Sequence, residues 1–330
     1  MQEQSFAWQQ ALSEMITSPL ELLSLLNLCP SQLPWQWDKN FPLRVTQSFV
    51  ARMQKGDPLD PLLRQVLSIK EESKLSNNYS SDPLKETEHN PVPGLLHKFK
   101  GRVLLTFTSS CAVHCRYCFR RHFPYQENNP GRKGWSQALD YIANHPDIVE
   151  VILSGGDPLM AQDQFLALFL KQLSDIKHVK ILRMHTRLPV MIPQRICHSL
   201  LKVLDDTEQD IVMVYHINHP AEIIPSIAQG VTALKQQGVT VLNQTVLLQG
   251  VNDNTECLKQ LSLNLFQAGI LPYYVHLLDA VQGASHFSVS HEEARKLQGS
   301  LRAELPGYLV PKFVREIPYH HSKMPLDLLP

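Results

Sequence analysis

Residues Cys111-Ala-Val-His-Cys115-Arg-Tyr-Cys118-Phe-Arg-Arg-His122 place three thiols within eight positions, just after an apolar run at 103–108. Closed structural zinc sites use four protein ligands, usually as two separated pairs. A cubane iron–sulfur cluster held by three cysteines instead leaves one iron open to a further ligand. The spacing therefore predicts that Cys111, Cys115 and Cys118 bind a [4Fe-4S] cluster. The alternative is a loop with three structural cysteines or a partial zinc site.

The composition sets broad limits on the function. The 330 residues allow one large domain or two modest ones, and 43% hydrophobic with 19% charged residues is typical of a globular protein. Lysine plus arginine and aspartate plus glutamate both number 31, so the net charge gives no reason to expect a nucleic acid or a membrane as a partner. The other three cysteines are scattered, which favours a reducing compartment. Because the chain shows no signal sequence or long apolar run, we expect a cytoplasmic protein.

The first 98 residues are predicted to form a helical region that precedes the main domain at 99–330. Apolar residues at helical spacing follow Ser18 and Asp60, which can cap helices over 18–28 and 60–70. A proline follows each cap, where a first helical turn tolerates it. The polar stretch at 71–90 indicates a surface connection or a flap, and the boundary is placed within 94–101.

Strand and helix patterns alternate through the main domain. Short β-branched or apolar runs are each followed by a longer amphipathic stretch, which is typical of an α/β fold with a parallel sheet. The predicted strands are 102–108, 149–154, 180–186, 211–217, 240–247 and 273–278. The predicted helices begin near Trp135, Ala161, Pro193, Pro220, Asn254 and Ser290.

The chemically unusual residues fall directly after these predicted strands. The three cysteines follow the first strand, Gly155-Gly156-Asp157 the second, and Asp279 the sixth. Histidine-containing segments at 185–187 and 216–219 follow the third and fourth. Since functional sites of parallel α/β proteins form at the carboxyl ends of the strands, these residues are predicted to share one site.

The C-x3-C-x2-C spacing, within CAVHCRYCFRRHFPY, resembles the radical S-adenosylmethionine superfamily and, inside it, the lysine 2,3-aminomutase family. LRMHTRLPVMIPQRI at 182–196, HINHPAEI at 216–223 and NQTVLLQGVND at 243–253 extend the resemblance over most of the chain. It implies a partial (βα)6 TIM-type barrel with the helical region as an N-terminal extension. A doubly wound open sheet is the alternative.

The resemblance also implies S-adenosylmethionine and pyridoxal 5′-phosphate as cofactors beside the cluster. Gly155, Gly156 and Asp157 match the segment that contacts the amino group of S-adenosylmethionine. Lys323, in Lys323-Met-Pro325, matches the lysine that forms a Schiff base with pyridoxal phosphate, and Arg102 matches an arginine that binds its phosphate.

Several positions near the implied pyridoxal site match the family less well. Lys98, Phe99 and His276 stand where the free-lysine enzymes commonly have arginine, tyrosine and tyrosine, which makes them weaker candidates for phosphate contacts. His185, His216 and His219 have no cysteine or carboxylate at ligand spacing and are assigned no metal.

Three charged residues match substrate-binding positions of the family. Arg120, two positions after Cys118, matches the arginine that binds the substrate α-carboxylate, for which a guanidinium is well suited. Asp279 and Glu316 match a pair of aspartates that bind the ε-ammonium group, and Glu316 differs from that pattern by one methylene.

The function implied is that of an isomerase, a radical L-lysine 2,3-aminomutase that converts (S)-α-lysine to (R)-β-lysine. FRRHFPY, the sequence PYHHS at 318–322 in place of a glycine-rich stretch, and an end at Pro330 resemble a short subgroup. That subgroup supplies β-lysine to a lysyl ligase that modifies elongation factor P. A reductant such as flavodoxin would serve the cluster.

Two further hypotheses stay open at this point. One is a radical aminomutase that acts on free lysine or another amino acid in metabolism. The other is a non-catalytic iron–sulfur scaffold protein, which would keep the cysteines but would have no need of Lys323.

Overall fold

A single sheet of nine strands, whose order in space follows their order in the chain, dominates the computed structural model, which describes residues 3–128 and 131–328. The strands are β1 (Leu95–Phe99), β2 (Arg102–Thr108), β3 (Glu150–Gly155), β4 (Ile181–Thr186), β5 (Asp210–His216), β6 (Thr240–Leu247), β7 (Leu271–Leu277), β8 (Lys312–Arg315) and β9 (Met324–Pro325). Strands β2 to β8 are parallel, and β1 and β9 pair antiparallel at the two edges.

Helices precede the sheet and connect its parallel strands. Those before the sheet are α1 (Glu3–Ser13), α2 (Pro19–Leu25), α3 (Gln47–Val50) and α4 (Pro61–Arg64). The later ones are α5 (Tyr125–Asn128), α6 (Gly131–Ala143), α7 (Asp163–Ser174), α8 (Leu188–Met191), α9 (His198–Asp205), α10 (Pro225–Gln236), α11 (Thr255–Gln267) and α12 (His291–Glu304). None of the helices in the described part of the chain is both long and apolar enough to cross a membrane.

The sheet is curled into a partial barrel. Lys98 on β1 and Glu316, which directly follows β8, stand seven strands apart in the sheet order, yet their Nζ and Oε1 atoms are 2.6 Å apart. In a flat sheet, seven strand spacings would separate them by about 33 Å. The predicted partial barrel is therefore confirmed. The doubly wound alternative is wrong, because it requires a reversal of strand order that this sheet lacks.

The two faces of the strands differ in chemistry. Along β4, Leu182 and Met184 are fully buried in the main apolar cluster, while Arg183 and His185 alternate with them on the other face. A packed TIM barrel fills its interior with branched apolar side chains. The polar inner face of this sheet is instead typical of a cavity that holds a ligand.

The sequence predicted six of the seven parallel strands within two residues of their observed bounds, and it missed β8. The predicted helix at 60–70 is wrong beyond Arg64, where α4 ends. The main-chain carbonyl of Gln65 accepts a hydrogen bond from the amide of Arg116 at 2.9 Å, and the amide of Lys70 donates to Pro34 at 2.8 Å. Backbone groups that a helix would need are therefore paired with other segments.

The N-terminal region shares its core with the barrel. Trp8 and Phe49 are buried in the same apolar cluster as Met184, and the guanidinium carbon of Arg195 lies 4.7 Å from the centre of the Trp8 indole ring. A division at residue 98 would fall inside β1. The assignment of 1–98 and 99–330 as separate domains stays a prediction.

Replacement of Trp8 by alanine tests whether the two regions unfold together. We expect Trp8→Ala to lower the free energy of unfolding by about 3–5 kcal/mol, because a buried indole is removed from the shared core. Trp37→Ala is the control, since Trp37 is 55% exposed. Chemical denaturation should show one transition in both variants. Separate transitions for the helical region and the barrel would contradict the shared core.

Candidate active site

The three cysteines lie together in the loop after β2. All three are free thiols, and burial raises the pKa of Cys111 well above its ordinary value and that of Cys118 to about 11. Each of these two pKa values is raised further by the thiol of Cys115, which shows that the sulfurs are electrostatic neighbours. The Nη1 group of Arg187 donates a hydrogen bond to Cys115 Sγ at 2.8 Å.

The spacing and number of the cysteines suit a cubane iron–sulfur cluster, in which three thiolates leave one iron open to a further ligand. A closed structural zinc site would use four protein ligands.

Gly155, the last residue of β3, and Gly156 bring that strand against the cysteine loop. The amide of Gly156 donates to the carbonyl of Thr108 at 2.7 Å, and the amide of Asp157 donates to that of Ser110 at 2.8 Å. A Cβ atom on Gly156 would lie 2.5 Å from the Ser110 carbonyl oxygen, and Gly155 has φ +103°. The Gly-Gly pair is therefore required by backbone packing beside the thiols.

The side chain of Asp157 is engaged inside the protein. Its carboxylate accepts hydrogen bonds from Thr186 Oγ1 at 2.7 Å and from the amides of Leu159, Arg187 and Leu188 at 3.1, 2.7 and 2.8 Å. Burial raises its pKa, and these four donors oppose that shift. The predicted contact of Gly155, Gly156 and Asp157 with S-adenosylmethionine stays a prediction.

Arg120 is 5% exposed and stands beside the cysteine loop. It forms a bidentate ion pair with Glu86 and donates a hydrogen bond to Ser154 Oγ at 3.0 Å. The sequence did not identify Glu86, which lies in the polar stretch at 71–90. In that stretch its carboxylate is one of several, and no local pattern distinguishes it from the others.

Lys323 lies in a cluster of charges after β7 and β8. Its Nζ is 3.4 Å from Glu316 Oε2, and Lys98 Nζ is 2.6 Å from Glu316 Oε1. Desolvation lowers the pKa of Lys323, although Glu316 and Asp279 oppose that effect. Burial, together with the Glu316 carboxylate, raises the pKa of Asp279 to about 7. The predicted carboxylate pair and the predicted lysine are thus brought together.

The charges of Arg120 and Lys323 act on histidines of the inner face. Burial lowers the pKa of His216 to about 3, and the positive charges of Lys323 and Arg120 both contribute. Burial also lowers the pKa of His185 and His276 well below the ordinary value, so these rings are neutral. Because both cations act on the same ring, Arg120 and Lys323 are electrostatic neighbours of His216.

The residues of this cavity fit pyridoxal phosphate. Arg102 has no carboxylate partner among the described residues, and its guanidinium lies 4.7 Å from the Phe99 ring centre. The Nε2 atoms of His185 and His276 are buried without a hydrogen-bond partner in the described part of the chain. Unpaired buried polar atoms of this kind are typical of a site that takes a polar ligand. His219 instead accepts a hydrogen bond from the amide of Ala221 at 3.2 Å.

Comparison with known proteins identifies the family. Relatives named L-lysine 2,3-aminomutase from Escherichia coli and Haemophilus influenzae are 50% and 51% identical to this chain. The alignments cover 97% and 94% of this chain and 94% and 92% of the relatives. The chain belongs to the L-lysine 2,3-aminomutase family. A relative of that name from Clostridium subterminale is 35% identical over 87% of this chain and 69% of its own.

Membership in the lysine 2,3-aminomutase family confirms the predicted isomerase class and the predicted cofactor set of cluster, S-adenosylmethionine and pyridoxal phosphate. The family described as 4Fe-4S single cluster domain matches residues 99–205, which include all three cysteines. A radical SAM methyltransferase from Sphaerobacter thermophilus aligns over 67% of this chain and 68% of its own with a TM-score of 0.47 and 15% identity. That likeness is too slight to bear on the assignment.

Replacement of Gly156 by alanine tests the close packing beside the thiols. We expect Gly156→Ala to lower the free energy of unfolding by about 1–3 kcal/mol, because the new methyl group meets backbone atoms of the cysteine loop. We also expect less iron per protein after anaerobic reconstitution. Gly299→Ala is the control, since a methyl group on Gly299 in α12 would meet no atom within 4 Å. Normal iron content in Gly156→Ala would contradict this packing constraint.

Proposed function

We infer that this protein is a radical S-adenosylmethionine, pyridoxal phosphate-dependent L-lysine 2,3-aminomutase that converts (S)-α-lysine to (R)-β-lysine in the cytoplasm. The observation that carries this proposal is the position of Lys323. Its amine lies 3.4 Å from Glu316 and acts on the pKa of Asp279, and its charge and that of Arg120 both act on the ring of His216. A scaffold protein that only held a cluster would have no use for this arrangement.

Each charged residue can be given one task. When bound, the cofactors supply a carbon radical that removes a substrate hydrogen and an aldehyde that carries the migrating nitrogen. Arg120 would bind the lysine carboxylate, and Asp279 with Glu316 would bind the far ammonium. Lys323 would hold the pyridoxal aldehyde, and its lowered pKa keeps more of the amine unprotonated for that bond. Arg102 would bind the phosphate.

The carboxylates favour lysine over other amino acids. Binding at both ends fixes the distance between carboxylate and ammonium, and thereby selects the length of the substrate. A glutamate aminomutase would need a cation where Asp279 stands. The proposed substrate therefore follows from the charge at each end of the cavity.

We further propose that the β-lysine serves a lysyl ligase that modifies elongation factor P. Support comes from FRRHFPY after the cysteines, and from Lys98, Phe99 and His276 at positions where free-lysine enzymes commonly differ. A reductant such as flavodoxin would reduce the cluster.

Reconstitution tests the proposed reaction. The protein is loaded anaerobically with iron, sulfide and pyridoxal phosphate, and then given reductant, S-adenosylmethionine and L-lysine. We expect β-lysine to form, and we expect Lys323→Ala to retain iron–sulfur absorbance but to lose pyridoxal binding and product. Lys296→Ala is the control, because Lys296 is exposed on α12. Full activity of Lys323→Ala would refute the assignment of Lys323.

The pH dependence of lysine binding tests Asp279. Since its pKa is about 7, the carboxyl group loses its charge below that pH, while the ε-ammonium of lysine stays protonated. We expect the KM for L-lysine to rise as the pH falls through this pKa, by at most about tenfold per pH unit, and to level off near the KM of Asp279→Asn. The KM of Asp279→Asn should be higher and should not follow this titration. A KM in the unaltered enzyme that is independent of pH across this range would contradict the role of Asp279.

A further inference from the structure

We propose that Glu86 is a positioning residue for lysine, which acts by fixing the plane of the Arg120 guanidinium so that its free edge meets the substrate carboxylate. This inference rests on the proposed function, and in particular on Arg120 as the carboxylate-binding group. It assigns a contribution to the reaction rate to a residue that does not itself touch the substrate.

The ion pair between Glu86 and Arg120 uses one defined edge of the guanidinium. Arg120 Nε donates to Glu86 Oε2 and Nη2 donates to Oε1, both at 2.7 Å. Both side chains are nearly inaccessible to solvent, with 5% and 6% of their surface exposed. A buried bidentate pair of this kind holds the arginine plane in one orientation.

The donor inventory of Arg120 leaves room for a second carboxylate. A guanidinium has five N–H groups. Glu86 takes two of them and Ser154 takes one from Nη1. Among the described residues, one N–H on Nη1 and one on Nη2 stay available. Two donors on the two terminal nitrogens suit a bidentate carboxylate, so Glu86 and the substrate do not compete for the same hydrogens.

The surroundings fix Glu86 and Arg120 from further directions. Glu86 begins a 3₁₀ turn at Glu86–His89, and its amide donates to Asp82 Oδ1 at 3.0 Å. The guanidinium carbon of Arg120 lies 4.8 Å from the Phe119 ring centre and 5.9 Å from that of Phe123. Glu86 is thus held by its own turn, and Arg120 is held between Glu86, Ser154 and aromatic rings.

The ion pair between Glu86 and Arg120 predicts that loss of Glu86 lowers the reaction rate more than the affinity for lysine. Glu86 neutralises much of the attraction that Arg120 would exert on a carboxylate, so its presence does not serve tight binding. In Glu86→Gln, the substrate carboxylate no longer shares the Arg120 guanidinium with the Glu86 carboxylate. Attraction to lysine is then retained, but the arginine plane is free to turn and the reacting carbon is misplaced. Misplacement by about 1 Å can cost about 100-fold in rate.

The test compares Glu86→Gln with Glu88→Gln, a control on the same turn whose exposed carboxylate accepts a hydrogen bond from Tyr319. In reconstituted enzyme that forms β-lysine, we expect Glu86→Gln to lower kcat by roughly 10- to 100-fold and to change KM by less than about threefold. Cofactor content and the rise in melting temperature on adding L-lysine should be retained. Glu88→Gln should match the unaltered enzyme.

A double-variant cycle separates positioning from a purely structural role. In the Arg120→Gln background there is no guanidinium to orient, so Glu86→Gln should lower kcat by less than about twofold further. An equal loss in both backgrounds, an unchanged kcat, or a raised KM with normal kcat would overturn the proposal. If Glu86→Gln does not fold, Glu86→Asp keeps the charge on a shorter arm and should lower kcat with KM retained. Absence of β-lysine from the unaltered enzyme would instead refute the proposed function.

Discussion

The arrangement of the site depends on Asp157, which is hydrogen-bonded both to the cysteine loop and to the residues at the end of β4. Its carboxylate accepts hydrogen bonds from Thr186 and from the amides of Arg187 and Leu188 at the end of β4, while its own amide donates to Ser110 in the cysteine loop. A buried carboxylate is costly unless its lone pairs are satisfied, and here four donors satisfy them. The hydrogen bonds of Asp157 therefore fix the positions of the cysteine loop and the loop after β4 relative to each other.

The inner face of the sheet separates charges that serve the fold from charges that serve a ligand. Arg183 on β4 pairs with Glu150 on the neighbouring strand β3 at 2.8 Å. Because an unpaired buried charge destabilises a protein strongly, such pairs are expected wherever no ligand neutralises the site. Arg102 lacks a carboxylate partner within the described residues. A bound phosphate would supply the anionic partner that Arg102 lacks.

The fold could be predicted from sequence because its strands are long enough to show a pattern. Strand β8 was missed because four residues between turns carry too little periodicity. The helix expected at 60–70 ended early because Gln65 and Lys70 pair their backbone groups with distant segments. These contacts depend on the tertiary approach of the cysteine loop and the N-terminal region, which local sequence does not encode.

The residues of the candidate site also differ in how far the sequence could predict them. The three cysteines follow from their own spacing, whereas Lys323 and the two glycines were predicted from the resemblance to the family. Glu86 could not be predicted, because its role depends on its ion pair with Arg120, which lies 34 positions further along the chain.

The pairing of Lys98 with Glu316 was equally hidden from the sequence, since it exists only because the sheet curls until its two edge regions meet. It explains how two carboxylates can serve one ammonium group. Two adjacent carboxylates repel each other, so that one tends to take up a proton and lose its charge. Burial raises the pKa of Asp279 to about 7, and repulsion by Glu316 contributes to that shift. Although burial opposes it, the pKa of Glu316 is lowered by Lys323 and Lys98. When the Lys323 nitrogen is committed to the cofactor, Lys98 is the cation that keeps Glu316 ionised.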